Sequence, residues 1–152
     1  MHIFHTSIAV RDPRRVADAL TDLVEGARYD FLHPGCYFVT LGEPGALIEL
    51  YRKELELQPG DEGEECRFIE NPSPPTYVGS HTAIRVSASP ERVLDIAAKY
   101  GWKAEVHKRR VFHVIEFWLE NEYMLEVFPP KFASEYLAAC NVLPPVGFSA
   151  EP

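Results

Sequence analysis

Two histidines and two glutamates stand at matching places in the two halves of this 152-residue chain. His5 opens the run His-Thr-Ser-Ile-Ala-Val, and His81 opens the similar run His-Thr-Ala-Ile-Arg-Val. Glu49 is the centre of Leu-Ile-Glu-Leu-Tyr, and Glu126 is the centre of Met-Leu-Glu-Val-Phe. Imidazole nitrogens and carboxylate oxygens are ligands of divalent first-row metals. Brought together, the four side chains would hold one such ion (Ni, Zn, Co, Fe or Mn), with positions left open for water or substrate.

These matching places belong to an internal repeat. Residues 13–18 read Pro-Arg-Arg-Val-Ala-Asp, and residues 90–95 read Pro-Glu-Arg-Val-Leu-Asp. The histidine runs, these proline-led segments and the glutamate runs therefore match in the same order and at almost the same offset. Such a series indicates that one structural module occurs twice.

Each half has the pattern of a β-α-β-β-β module. Asp12 before Pro13 and Ser89 before Pro90 mark helix starts, because an oxygen-bearing side chain caps a helix and proline tolerates the first helical position. Alternation with period two, bounded by turn residues, predicts four strands in each half. The predicted strands are 3–10, 27–33, 36–41 and 45–52, then 81–88, 102–107, 110–119 and 122–128.

The fold class is therefore α+β, with two tandem βαβββ modules whose curved mixed sheet surrounds a central site. We predict modules over 1–52 and 80–129, which together form a single domain over 1–129. The segment 53–79 is rich in glutamate and proline, which suits an exposed connector with a solvated acidic face. Residues 130–152 are predicted to form a short C-terminal helix and a tail.

Strand alternation also predicts which face of each sheet carries the candidate ligands. The apolar side chains of the first strands point toward the helices, so His5 and His81 point to the opposite face. By the same alternation, Glu49 and Glu126 lie on that opposite face of the last strands. Each glutamate has bulky apolar neighbours there, and a carboxylate in such surroundings needs a positive partner. Pseudo-symmetry thus predicts two equivalent His/Glu pairs.

Composition excludes several other functions. Lys+Arg 15 against Asp+Glu 23 gives a net charge of -8, which repels phosphate backbones and anionic membranes, so neither nucleic acid nor a membrane is an expected partner. No apolar run approaches the roughly 18 to 20 residues of a bilayer span, and no signal-peptide pattern follows Met1, so we expect a cytoplasmic protein. The three cysteines have no CxxC spacing and are expected to be reduced, structural thiols.

The repeat, with His on the first strand and Glu on the last strand of each module, resembles the vicinal oxygen chelate superfamily and is most similar to metal-dependent glyoxalase I. The resemblance covers about residues 1–129. It implies the vicinal-oxygen-chelate (glyoxalase-like) fold, with one divalent metal bound by His5, Glu49, His81 and Glu126. It also implies a homodimer, because in glyoxalase I the two ligand pairs of each site come from different subunits.

The same resemblance implies a lyase or isomerase reaction on a small molecule. The metal would bind vicinal oxygens and stabilise an enolate, while a metal-linked glutamate moves the proton. That catalytic role would fall on Glu126, with Glu49 as the second candidate.

The sequence departs from glyoxalase I around the expected glutathione contacts. Ala9 stands where glyoxalase I has an arginine, and Lys53 stands where it has an asparagine. The usual turn before the last ligand is replaced by Leu-Glu-Asn-Glu at 119–122. We therefore expect a small oxygen-chelating substrate other than the glutathione hemithioacetal.

Two alternatives within the superfamily stay open. Extradiol dioxygenases hold Fe(II) with two His and one Glu, corresponding here to His5, His81 and Glu126, and a fourth ligand at Glu49 would obstruct dioxygen. Antibiotic-sequestering members are non-catalytic binding modules that generally lack metal ligands, so the retained ligand set disfavours that class. Glu49 also argues against an acyl-CoA epimerase, which normally has glutamine at this place.

Six further residues are candidates for substrate contact. Arg85 shares the face of His81 and could hold a substrate carboxylate or phosphate, or form a structural ion pair. The others lie on the ligand faces and would wall a cavity or pack in the core. The full set is Ser7, Leu47, Tyr51, Arg85, Met124 and Phe128. His33 and His113 are expected to be structural, and 108–110 to be a solvated basic patch.

Overall fold

The computed structural model describes residues 3–31, 33–42 and 44–142. In these ranges the chain forms ten strands and three helices. Their order is β1 (His5–Val10), α1 (Pro13–Val24), β2 (Arg28–Asp30), β3 (Tyr37–Thr40), β4 (Leu47–Arg52), β5 (Leu55–Gln58), β6 (Arg67–Glu70), β7 (Thr82–Arg85), α2 (Pro90–Tyr100), β8 (Ala104–Arg109), β9 (Phe112–Leu119), β10 (Tyr123–Phe128) and α3 (Pro130–Val142). The predicted tail beyond the C-terminal helix lies outside the described residues.

Module one is a four-stranded mixed sheet with a helix on one face. Its strand order is β1-β4-β3-β2, with β1 parallel to β4 and the other neighbours antiparallel. Helix α1 begins as predicted, because the Asp12 carboxylate accepts a hydrogen bond from the Arg15 backbone N–H at 3.0 Å and Pro13 follows the cap. Val16 and Leu20 on its apolar face are fully buried against the sheet.

Module two repeats this plan. Its strand order is β7-β10-β9-β8, with β7 parallel to β10. The Ser89 hydroxyl accepts a hydrogen bond from the Arg92 backbone N–H at 3.3 Å, and Gly101 ends helix α2 in the left-handed conformation with φ 71°. The predicted α+β fold of two tandem βαβββ modules is therefore confirmed.

The connector between the modules contains a hairpin that its composition did not predict. Strands β5 and β6 pair antiparallel and place Leu57 opposite Phe68. Because side chains alternate along a strand, Leu55 shares their face. The acidic turn of the hairpin is exposed, as expected, at Glu64 and Glu65. Glutamate and proline dominate the segment, so the few apolar residues at Leu55, Leu57 and Phe68 were a weak signal of strands.

The two modules contact each other through their helices. Lys99 Nζ donates to Asp22 Oδ2 at 2.6 Å, and the Arg15 guanidinium donates to the carbonyl oxygen of Tyr100 at 2.6 Å. In the turn between β9 and β10, the buried Glu120 carboxylate accepts two backbone N–H groups just before α1, at 2.6 and 2.7 Å. Contacts between the modules are thus made by the two helices and by the turn before β10.

Helix α3 packs on the face of the module-two sheet that is opposite to α2. Its Tyr136 ring lies 4.8 Å from the Phe128 ring and 5.1 Å from the Phe112 ring, measured between centroids. His113 holds the same helix, because its backbone N–H donates to Glu135 Oε2 at 2.9 Å and its Nδ1 lies 2.7 Å from that oxygen. His113 therefore has the structural role that was predicted.

Two expectations from composition can be compared with the structure. None of the helices in the described ranges combines the length and apolar character needed to cross a membrane. All three cysteines are unpaired, but only Cys36 is buried, whereas Cys66 and Cys140 are exposed. A purely structural role thus fits Cys36 alone.

Candidate metal centre

In module one, the edge strand β1 and the central strand β4 bring His5 and Glu49 together on the uncovered face. The strand register pairs Ser7 with Glu49, so His5 is a diagonal neighbour of the carboxylate. His5 Nε2 lies 3.9 Å from Glu49 Oε1. The other carboxylate oxygen accepts a hydrogen bond from the Ser7 hydroxyl at 2.7 Å and from the Tyr51 hydroxyl at 3.4 Å. Two neutral donors thus orient Glu49.

In module two, strands β7 and β10 bring His81 and Glu126 together in the equivalent way. His81 Nε2 lies 3.8 Å from Glu126 Oε2. The surroundings differ, because the other carboxylate oxygen forms an ion pair with the guanidinium of Arg109 on β8, with Nη2 at 3.7 Å. In both modules the glutamate side chain is mostly covered and the histidine is more open, with 12% and 17% exposure against 54% and 45%.

The two pairs fit the role of metal ligands. Zinc and similar ions bind histidine nitrogens and carboxylate oxygens at about 2.0 to 2.2 Å, so two ligands of one ion lie roughly 3 to 4 Å apart. The distances of 3.9 and 3.8 Å between nitrogen and oxygen fall in this interval. They exceed the usual length of a direct hydrogen bond. We call each pair, His5 with Glu49 and His81 with Glu126, a half-site.

The half-sites stay apart within one chain. Among the described residues, no three His, Cys, Asp or Glu side chains converge as a metal site would require. The two histidines nevertheless line one cavity of about 530 Å³, so the edges of the two sheets that carry them are near each other. The structure thus places each candidate histidine beside its candidate glutamate, as two separate pairs.

A row of charged groups extends from Glu126 across the sheet of module two. The strand registers place Glu116 beside Glu126, and Glu105 beside Glu116. Arg109 Nη2 donates to Glu116 Oε1 at 2.5 Å, and His107 Nε2 lies 3.7 Å from the same carboxylate. Burial alone would raise the pKa of Glu116, but the hydrogen bond from Arg109 and the nearby positive charges outweigh it and lower the pKa below its usual value.

The prediction of a solvated basic patch at 108–110 is wrong for its central residue. Lys108 and Arg110 are exposed, but Arg109 points to the opposite side of β8 and bridges two carboxylates. The alternation of an outer strand could have indicated this separation. The carboxylates that Arg109 contacts could not be identified without the register of β8, β9 and β10.

Tyr51 links the module-one half-site to an aromatic cluster. Its ring stacks on Phe68 of the hairpin, with centroids 4.7 Å apart and an interplanar angle of 24°, and His33 contacts the other side of the cluster at 4.5 Å from Phe68. Burial and the adjacent Glu49 carboxylate raise the pKa of Tyr51, which keeps its hydroxyl protonated and able to donate. The His33 ring is thus part of the aromatic cluster, and its structural role stays a prediction.

Two of the positions that depart from glyoxalase I belong to module one: Ala9 lies in β1, and Lys53 directly follows β4. Lys53 forms an ion pair with Glu122 of module two and donates to the carbonyl oxygen of Thr76 at 3.1 Å. The ammonium group is thereby turned toward the contact between the modules. Ala9 lies opposite Tyr51 on the strand pair and offers no polar group.

The remaining substrate-contact candidates divide between the modules. Leu47 lines a cavity of about 530 Å³ that both His5 and His81 also line. Arg85 is exposed, makes no hydrogen bond or ion pair with the part of the chain that the structure describes, and lines a smaller cavity of about 180 Å³ with the buried Phe128. Met124 is partly buried opposite Trp118. Of the six candidates, Ser7 and Tyr51 contact a candidate ligand directly.

No protein-family model matches the chain, and no curated protein matches it. The chain does, however, match solved structures. A FosX fosfomycin resistance protein from Mesorhizobium loti is 14% identical, with a TM-score of 0.56 over 89% of this chain and 97% of the other. A variant FosX from Listeria monocytogenes, complexed with Mn(II) and 1S,2S-dihydroxypropylphosphonic acid, is 12% identical, with a TM-score of 0.56 over 83% and 87%.

An integron cassette protein from V. cholerae is a third similar structure. It is 13% identical, with a TM-score of 0.52 over 84% of this chain and 93% of the other. At such low identity these likenesses concern the arrangement of the backbone. The chain has the paired-module fold of the vicinal oxygen chelate superfamily, to which these FosX proteins and cassette proteins belong, and the predicted resemblance is confirmed at the level of the fold.

Proposed function

We propose that this protein is an enzyme that uses one divalent first-row metal per site and moves a proton on a small, oxygen-chelating substrate. The observation that carries the proposal is the equal separation of His and Glu in two half-sites on equivalent faces of a repeated module. His5, Glu49, His81 and Glu126 would hold the metal. The FosX structure with Mn(II) supports a divalent metal in this fold.

We further propose that each site forms between two copies of the chain. The module-one half-site of one subunit would meet the module-two half-site of its partner. Strands β1 and β7 are at the edges of their sheets, where each is paired on one side. Ile3 and Phe4, beside the start of β1, are 83% and 67% exposed. Open strand edges in both modules, and exposed apolar groups beside the module-one half-site, support a homodimer.

The chain's own residues would then divide the chemistry. The metal supplies polarisation of a substrate carbonyl and stabilises developing negative charge. Glu126 is the proposed proton acceptor, and Glu49 is the second carboxylate of the site. The hydroxyls of Ser7 and Tyr51 fix the orientation of Glu49. Arg109 places a positive charge 3.7 Å from the Glu126 carboxylate.

A second candidate function is action on a small phosphonate. The FosX structures favour it, because one of them holds Mn(II) together with dihydroxypropylphosphonic acid. The unpartnered guanidinium of Arg85, on the strand that follows His81, is a group that could hold the phosphonate charge. The four-ligand set continues to disfavour the Fe(II) dioxygenase alternative, because Glu49 would occupy a position that dioxygen needs.

Metal binding by mixed dimers tests the assignment of the four metal ligands and the sharing of the site between two copies in one experiment. One chain carries His5→Ala and Glu49→Ala, and the other carries His81→Ala and Glu126→Ala. Each variant alone should bind no metal in elemental analysis and calorimetry, whereas a co-expressed mixed dimer should recover about one metal per dimer. A matched Glu105→Gln control should bind like the original protein, because Glu105 is on the same face but two strands away from Glu126.

Each failure of this experiment has a distinct meaning. If both double variants retain the original metal content, the ligand assignment is wrong. If each variant loses metal and mixing restores none, the four residues act within one chain and the shared site is wrong.

A further inference from the structure

A cavity of about 540 Å³ opens directly beside the module-one half-site. One end is polar and is formed by His5, Ser7 and Glu49. The other end is apolar and is formed by Tyr51 and by the inward face of the β5–β6 hairpin. Cavities of roughly 300 to 1,000 Å³ are typical of small-molecule sites. The volume therefore exceeds what a metal and its water ligands fill.

The apolar end is built by the alternation of the hairpin strands. Leu55, Leu57 and Phe68 share the face that is turned to the cavity, and Ile69 lies on the opposite face. Phe68 is fixed by stacking on Tyr51 at 4.7 Å. Leu57, its cross-strand partner, remains 60% exposed although it lines the cavity. An apolar side chain that is both part of a cavity wall and open to solvent gains stability when an apolar ligand covers it.

The charges around the cavity restrict what can fill it. Among the described residues, no lysine or arginine lines it, and its one carboxylate, Glu49, already receives hydrogen bonds from Ser7 and Tyr51. An anionic group would find no positive partner at this end. A flat ring would find the edges and faces of aromatic side chains, which favour ring contacts.

We propose that this apolar end, lined by Tyr51, Leu55, Leu57 and Phe68, is an apolar subsite that binds a neutral aromatic group of the substrate. The inference rests on the proposed metal function, and it names the substrate class: a molecule with chelating oxygens at one end and an aromatic ring at the other. The hairpin of the connector is then a specificity-determining element of the site.

Two hydroxamates test the subsite on protein loaded with Mn(II). Acetohydroxamate and benzohydroxamate offer the same two oxygens to the metal and differ in the ring. Calorimetry should show that benzohydroxamate binds at least about tenfold more tightly, because burial of the ring removes a large apolar area from water. Phe68→Ala should reduce this ratio to about threefold or less, and Ile69→Ala, on the other face of the same strand, should leave it unchanged.

Leu57→Ala keeps the test valid if Phe68→Ala does not fold. Its side chain is mostly exposed, so its removal should leave the hairpin intact while it lowers the ratio. If both hydroxamates bind the loaded protein with equal affinity, the subsite is overturned and the metal proposal stands.

A metal-free experiment separates the two proposals in the opposite case. In chelator-treated protein, the fluorine NMR line of 4-fluorobenzyl alcohol should broaden, and the broadening should disappear in Phe68→Ala and Leu57→Ala but persist in Ile69→Ala. If this pattern appears while no metal binds, the subsite stands and the metal function fails. If the line stays sharp in the original protein, the cavity is closed to aromatic ligands and the inference is wrong.

Discussion

Module one and module two hold the same pair of candidate ligands in different surroundings. In module one, neutral hydroxyl groups orient Glu49, and an aromatic cluster and an apolar hairpin lie beside it. In module two, Glu126 adjoins the Arg109 cation and a row of carboxylates, and α3 covers the neighbouring part of the sheet. Two pairs of the same geometry are therefore set in environments of opposite character, one apolar and the other charged.

The first prediction concerns which module supplies the proton acceptor. Dihydroxyacetone serves as an enolisable, chelating probe. Glu126→Gln should slow the exchange of its carbon-bound hydrogens with solvent deuterium by a factor of about 10² to 10⁴, because an amide nitrogen cannot accept the proton. Glu49→Gln should have a smaller effect. Proton NMR of the probe in heavy water measures both rates, with Glu105→Gln as the control.

A larger loss in Glu49→Gln than in Glu126→Gln would assign the base to module one and reverse the proposed roles. Consumption of dioxygen with a catechol, seen only with Fe(II), would instead support the dioxygenase alternative.

The second prediction is that the protein is a poor catalyst for the glutathione hemithioacetal of methylglyoxal. Recognition of this anionic molecule needs fixed positive and amide groups, and each lost charge-assisted hydrogen bond costs about 1.5 to 3 kcal/mol. Ala9 cannot supply one, and Lys53 is paired with Glu122. Two such losses should lower kcat/KM by orders of magnitude. A steady-state assay with Ni, Co, Zn and Mn that gave about 10⁷ to 10⁸ M⁻¹s⁻¹ would contradict the prediction.

The half-sites were predictable because their signals are local. A histidine at the start of an alternating strand, a glutamate in the last strand and a cap before proline can each be recognised within a few residues. Repetition then placed the two sets on equivalent faces. The fold class followed from the same repeat.

The surroundings of the half-sites were not predictable, because they depend on contacts between distant segments. Arg109 reaches Glu126 only through the register of β8, β9 and β10. The stacking of Phe68 on Tyr51 depends on how the connector folds back over β4. A single sequence carries no direct signal for either contact, and the acidic composition of the connector concealed its short apolar alternation.

A third prediction uses the opposite characters of the two surroundings. Arg109→Gln should strengthen metal binding by roughly tenfold, because it removes a positive charge near a bound cation. Ser7→Ala should weaken metal binding by roughly three- to tenfold, because Glu49 loses a hydrogen bond of 2.7 Å that orients it. Calorimetric titration with Mn(II) measures both changes. Weaker binding in both variants would mean that Arg109 acts as an orienting support, like Ser7.

The fourth prediction concerns the ion pair between Asp22 of α1 and Lys99 of α2, where the two modules meet. The hydrogen bond from Lys99 lowers the pKa of Asp22, although partial burial acts against it. Because the folded pKa lies below the unfolded value of about 3.9, the pair stabilises the fold above that pH, and the contribution is lost as the pH falls through the folded pKa. The carboxylate is partly exposed, so solvent screening limits the contribution to less than about 1 kcal/mol.

Asp22→Asn should therefore lower the free energy of unfolding by a small amount at pH 7 and by a smaller amount at pH 3. Chemical denaturation at both pH values measures the difference, and Asp95→Asn on α2 serves as an ionisable control that is not part of this pair. Equal losses at the two pH values would show that the Asp22 charge is irrelevant to the contact. Because the pair joins α1 to α2, and not either half-site, metal affinity should stay unchanged, which separates the stability of the module contact from the chemistry of the two faces.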